Sequence, residues 1–148
     1  MPLLKKILCI GSVTTDVIVT PADTIPTPGT LRYVDSVSTH VGGCASNAAI
    51  DLAKLGVPVA LSCKVGDDNF GAFVRSEAAA AGVDVSGVVA DPSVSTTVSI
   101  VCISSTGERS FLYNPGSTSA FVKADIPASL VDECDIIFVA GAMLLGSF

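Results

Sequence analysis

Asp16 stands five residues after Gly11, and the pair Gly42-Gly43 is followed four residues later by Asn47. A carboxylate just past a buried strand lies at the sheet edge where α/β folds bind ligands, and its two oxygens can accept hydrogen bonds from two vicinal hydroxyls. Paired glycines let a ligand approach the backbone, the helix start beyond them offers unpaired N–H groups, and Asn47 presents a donor and an acceptor together. That combination suits recognition of a polyhydroxylated molecule. Each member also has a plain structural account: Asp16 as an exposed turn residue, the glycines as a tight turn, Asn47 as a cap. Val65-Gly66-Asp67-Asp68-Asn69-Phe70-Gly71 reads first as a turn, a helix cap and a close-packed Gly71. Arg109, after Gly107-Glu108 in a hairpin, is a solvated cation by default, and one that could also reach an anionic or polar substrate.

Other chemistries are poorly served. His40 is the only histidine, with nothing near it in sequence to build a nucleophilic dyad, which argues against an acyl-transfer hydrolase. The five cysteines are odd in number and widely spaced, form no CxxC or Cys/His zinc pattern, and all but Cys44 and Cys134 lie in apolar, strand-like stretches where a thiol acts as a small hydrophobe. Fourteen acidic against eight basic residues give a net charge of -6, and the cations are scattered apart from Lys5-Lys6. Nucleic acid and anionic membrane surfaces are therefore not expected partners, since both require clustered positive charge. The apolar run of residues 1–10, broken by Gly11, is too short for a signal peptide or a membrane span, and a cytoplasmic location is expected.

These residues need a scaffold, and 148 residues that are 49% hydrophobic can build one core. Short apolar runs at 7–10, 57–65, 98–103 and 136–139 read as buried parallel strands. Helices are expected over 46–55, stopped by Gly56 and Pro58, and over 70–81, opened by Asp67-Asp68-Asn69 and closed by Gly82. Strand and helix in alternation imply an α/β layered fold. Residues 16–20 and 31–39 alternate like strands wet on one face, and 96–114 reads as two strands around a Ser105-Thr106-Gly107-Glu108 turn. Together they predict a small antiparallel sheet standing off the body as a lid, with the Pro-rich segment 21–29 as a connector. A Rossmann-type dinucleotide domain shares the rhythm but needs a glycine fingerprint after the first strand, where only Gly11 stands.

In order and spacing, Gly11-Ser12-Val13-Thr14-Thr15-Asp16, Gly42-Gly43-Cys44-Ala45-Ser46-Asn47-Ala48-Ala49, Leu55-Gly56, Val65 to Gly71 and Gly107-Glu108-Arg109 resemble the N-terminal half of the ribokinase-like (phosphofructokinase B type) carbohydrate kinase family. The resemblance implies a three-layer parallel sheet with a β lid, of which residues 1–148 are the substrate-binding part. It implies transfer of the γ-phosphate of ATP, with magnesium, to a hydroxyl of a sugar or nucleoside. By the same resemblance Asp16, Gly42, Gly43 and Asn47 hold the acceptor's hydroxyls with Thr14 beside them, Arg109 reaches in from the lid, and the lid doubles as a homodimer contact. Cys44 stands where some relatives carry Lys, which disfavours a phosphorylated acceptor. The family's Gly-Ala-Gly-Asp segment, with its catalytic base and adjoining ATP site, has no counterpart, Ala140-Gly141-Ala142 being followed by no acid. The chain alone is accordingly expected to be inactive. The alternative from another class is a stand-alone sugar-binding or regulatory module.

Overall fold

The computed structural model describes residues 5–148, so the first four residues of the expected N-terminal apolar run lie outside it. Among the described residues, eight strands form two four-stranded sheets. The body sheet is parallel, with β5 (Asp84–Asp91), β4 (Val59–Gly66), β1 (Ile7–Gly11) and β8 (Ile136–Ala140) side by side in that order. Helices α1 (Cys44–Lys54) and α2 (Asn69–Ala80) cover one face, and the short helices α3 (Gly116–Ser119) and α4 (Ala128–Glu133) lie across the other, giving three layers.

The body core is mostly apolar. Cys9, Leu61, Cys63, Val65 and Val74 pack under α1 and α2, and Leu8, Ile10, Phe121 and Leu130 pack on the far side, each large side chain gaining about 1.5–3 kcal/mol from burial. Burial pushes the thiols of Cys9 and Cys63 up to about 11 and about 12, so they behave as core hydrophobes. One buried cation, Lys64, is held by Asp91 at 3.3 Å, Asp125 at 3.0 Å and the carbonyl of Ala120 at 3.1 Å. α1 sits close on the sheet because its inward residues Ala45, Ser46 and Ala49 are small.

The second sheet has the order β3 (Ser36–Gly42), β2 (Thr14–Thr20), β6 (Val98–Ile103), β7 (Arg109–Asn114). Its outer pairings are antiparallel and its central pairing, β2 with β6, is parallel. Three expectations need correction. Residues 98–103, one of the runs read as a parallel body strand, belong to this second sheet. The stretch 31–39 is a strand only from Ser36, because Pro21 ends β2 at Thr20 and the pairing stops with the Asp35 N–H donating to the Thr20 carbonyl at 3.0 Å; Leu31 and Tyr33 stand 74% and 91% exposed. β5 was not foreseen. It carries Gly87 in mid-strand, where a Cβ would lie 2.7 Å from the Leu61 carbonyl oxygen, so the close approach that makes the strand also removes its apolar signature.

Candidate functional site

The site is built where β1, β2, β3 and α1 meet. After β1 the chain turns through Ser12 and Val13 into β2, and β3 returns beside β2 so that Gly42 faces Thr14 and His40 faces Asp16. Asp16 thus sits on a strand paired on both sides, which fixes its backbone.

Both glycines sit against neighbouring protein atoms. A Cβ on Gly42 would lie 2.2 Å from Oδ2 of Asp16, so the carboxylate occupies the space a side chain would take. Gly43 has φ 99°, and a Cβ there would meet the Val13 Cα at 2.6 Å. Nor are the first amides of α1 free. Gly43 has no side chain to cap the helix, so Ser12 does it from 32 residues away, its Oγ accepting from the Cys44 N–H at 3.1 Å and its carbonyl from the Ala45 N–H at 3.1 Å. Gly141 makes this possible, since a Cβ there would strike Ser12 Oγ at 2.4 Å.

Asp16 is half-buried. Burial raises its pKa, and His40 and the Thr14 hydroxyl pull the other way without restoring the ordinary value. Among the described residues no backbone N–H is bonded to its carboxylate. The Thr14 hydroxyl donates to the Thr97 carbonyl at 3.3 Å, and Thr15 Oγ1 to the Phe70 carbonyl at 3.4 Å.

Register adds three residues that the sequence reading missed. His40, Asp16, Ser99 and Tyr113 lie directly opposite one another on β3, β2, β6 and β7, and directly opposed residues share a face. Burial, with Asp16 as the neighbouring charge, raises the Tyr113 pKa. No spacing rule in a single sequence reveals such a row; only strand pairing does.

The six candidates are not all brought together. Thr14, Asp16, Gly42 and Gly43 adjoin. Asn47 is exposed on α1, with no side-chain hydrogen bond among the described residues, and lines a groove of about 440 Å³ with His40, Val41, Asp51 and Phe73. Arg109 does not join them: it pairs with Ile103 at the other end of the sheet, four residues along β7 from Tyr113 and roughly 13 Å away at strand spacing.

The arrangement is a poorly solvated carboxylate flanked by hydroxyl and imidazole groups, able to accept from two hydroxyls of a bound polyol. The pfkB family carbohydrate kinase model matches residues 4–147. A 2-dehydro-3-deoxygluconokinase of Thermoproteus tenax is 34% identical over 128 residues, which cover 80% of this chain and 38% of that protein. Fructokinase-1 of Oryza sativa subsp. japonica is 31% identical, over 70% of this chain and 33% of that protein. Among solved structures, a fructokinase with bound ATP from Xylella fastidiosa superposes with a TM-score of 0.76 at 28% identity, over 93% of this chain and 42% of that one. The chain therefore spans well under half the length of these relatives.

Proposed function

The chain belongs to the pfkB family of carbohydrate kinases, and from that premise we propose that it is the acceptor-binding part of an ATP-dependent kinase that phosphorylates a hydroxyl of a sugar or sugar-like molecule. The observation that carries this reading is Asp16, a half-buried carboxylate without a backbone donor among the described residues, set over Gly42 where a Cβ would lie 2.2 Å from its Oδ2. A group so placed suits hydroxyl donors arriving with a ligand. Asn47, on the first turn of α1, adds an amide with free donor and acceptor. Thr14 and the row His40, Ser99 and Tyr113 complete a polar surface on which an acceptor can be oriented.

ATP, with magnesium, supplies the phosphoryl group when bound. The residues described here do not fit a nucleotide: the amides of Cys44 and Ala45 are spent on Ser12, the amide of Gly71 is spent on Asp68, and the described carboxylates, thiols and imidazole form no cluster of three. We assign the nucleotide and metal to a region corresponding to the length of the relatives that this chain does not span. What this chain contributes is positioning. Asp16 fixes the acceptor by two hydroxyls, which orients the nucleophile, and the second sheet, acting as a lid, excludes water that would compete for the phosphoryl group. The edge strand β7 of that sheet, exposed along its length, is the surface proposed for homodimer contact. Arg109 lies too far along β7 to touch an acceptor at Asp16 and serves that contact instead. Among the described residues no Lys or Arg is ion-paired with Asp16, which favours a neutral acceptor. No described helix is long and apolar enough to cross a membrane, and a cytoplasmic location is proposed with the activity.

The test mixes the 148-residue chain with ATP, magnesium and D-fructose, D-ribose or 2-dehydro-3-deoxy-D-gluconate. The expected outcome is a sugar-dependent rise in Tm without sustained turnover. Absence of any sugar effect, or sustained turnover by the chain alone, contradicts the proposal.

A further inference from the structure

The segment Gly66 to Gly71 caps α2, and a cap needs one bond: Asp68 Oδ1 accepts from the Gly71 N–H at 2.8 Å. Asp68 makes two more. Its Oδ2 accepts from the Thr96 N–H at 2.8 Å and its Oδ1 from the Thr96 hydroxyl at 2.7 Å. The same hydroxyl accepts from the Gly66 N–H at 2.9 Å. Thr96 is fully buried and stands two residues before β6, where the chain leaves the body for the second sheet.

The glycines of the segment follow from this contact. A Cβ on Gly66 would lie 2.6 Å from both Asp68 Oδ2 and the Thr96 nitrogen, and one on Gly71 would lie 2.2 Å from the Gly66 carbonyl oxygen and 3.0 Å from Thr96 Oγ1. The next residues carry the contact to the site. The Thr97 carbonyl accepts from the Thr15 N–H at 2.9 Å and the Thr14 hydroxyl at 3.3 Å, and the Phe70 carbonyl accepts from Thr15 Oγ1 at 3.4 Å. The first turn of α2 thereby grips both β6 and β2, the two strands that set where Asp16 stands.

We infer that Asp68 and Thr96 are positioning residues, a clasp that pins the base of the second sheet to the body and so holds Asp16 at its acceptor-binding place. The clasp is a statement about the fold; its bearing on acceptor affinity rests on the function proposed above. Three hydrogen bonds to one carboxylate exceed what a helix cap uses, and all three come from atoms whose displacement shifts β6 or α2 against the body. Burial raises the Asp68 pKa, but the bonds from Thr96 and Gly71 outweigh it and hold the group below its ordinary value, so the clasp is ionised at neutral pH.

Thr96→Val keeps the volume and removes the hydroxyl; Thr96→Ser restores it. In Thr96→Val, amide hydrogen exchange in β2, in β6 and at Gly66 should run about tenfold faster, as loss of a hydrogen bond to a charged group implies, while exchange in β1 and in β4 before Gly66 stays as in wild type. Thr96→Ser should return β2 and β6 to wild-type exchange. D-fructose binding should weaken about tenfold in Thr96→Val and stay within about twofold in Thr96→Ser. Equal acceleration in both sheets, no change in either, or failure of Ser to rescue overturns the clasp. Faster exchange in β2 and β6 with unaltered fructose affinity overturns its positioning role. If wild type binds none of D-fructose, D-ribose and 2-dehydro-3-deoxy-D-gluconate, the proposed function falls, and exchange alone still decides the clasp.

Discussion

Asp16 and Asp68 are both half-buried carboxylates close to where the two sheets join, and the chain surrounds them in opposite ways. Asp68 receives two backbone amides and a hydroxyl, and its pKa is held down. Asp16 receives no backbone amide from the described chain, and burial holds its pKa up. Folding satisfies one charge and leaves the other short of donors, a cost that structure alone gives no reason to keep. The difference separates a carboxylate that the fold uses from one proposed to hold the acceptor. It also separates the two sheets: the body is fixed by apolar burial, the second sheet by polar bonds at its base.

The largest expected effect comes from crowding Asp16. Gly42→Ala places a methyl where Oδ2 now lies, 2.2 Å away, so the carboxylate must turn or β3 must shift, at about 1–3 kcal/mol. Sugar-induced stabilisation should disappear in a thermal-shift assay. Gly42→Ala with wild-type sugar response would place the acceptor elsewhere than at Asp16.

A smaller effect is acid titration, which the two groups drive in opposite directions. Asp68, with its folded pKa lowered, contributes stability above its unfolded value of about 3.9 that is lost as pH falls through the folded value. Asp16, with its folded pKa raised, disfavours folding above about pH 4, and that penalty lifts as pH falls through its folded value to its unfolded one. In urea melts across that range, Asp68→Asn should flatten the acid loss of stability and Asp16→Asn should steepen it. Equal slopes would remove the contrast.

Much of the body was legible in the sequence because its signals are local. Gly56 (φ 78°) and Gly82 (φ 92°) follow the two long helices, and Asp68 caps α2, as their residue types imply. The continuous apolar runs of β1, β4 and β8 mark three of the four body strands. What escaped depends on neighbours. The 98–103 run is as apolar as a body strand, yet its pairing with β2 and β7 puts it in the second sheet. β8 is as apolar as β1, but Ile136 to Val139 are 44–48% exposed because β8 is the sheet's edge. Within the site, Asp16, Gly42 and Gly43 were identifiable by type and spacing. The capping role of Ser12 and the His40–Tyr113 row were not, since both arise from contacts between distant segments. The second role of Asp68 was hidden behind its first.

The central claim is that Asp16 is kept for a ligand and not for the fold, and Asp16→Asn tests it most directly by two readings of one sample. The account predicts an unliganded variant at least as stable as wild type at pH 7. It also predicts loss of the stabilisation, about 2.7 kcal/mol at a hundredfold excess over Kd, that the bound sugar gives wild type. A destabilised variant that still gains wild-type stabilisation from the sugar would contradict it.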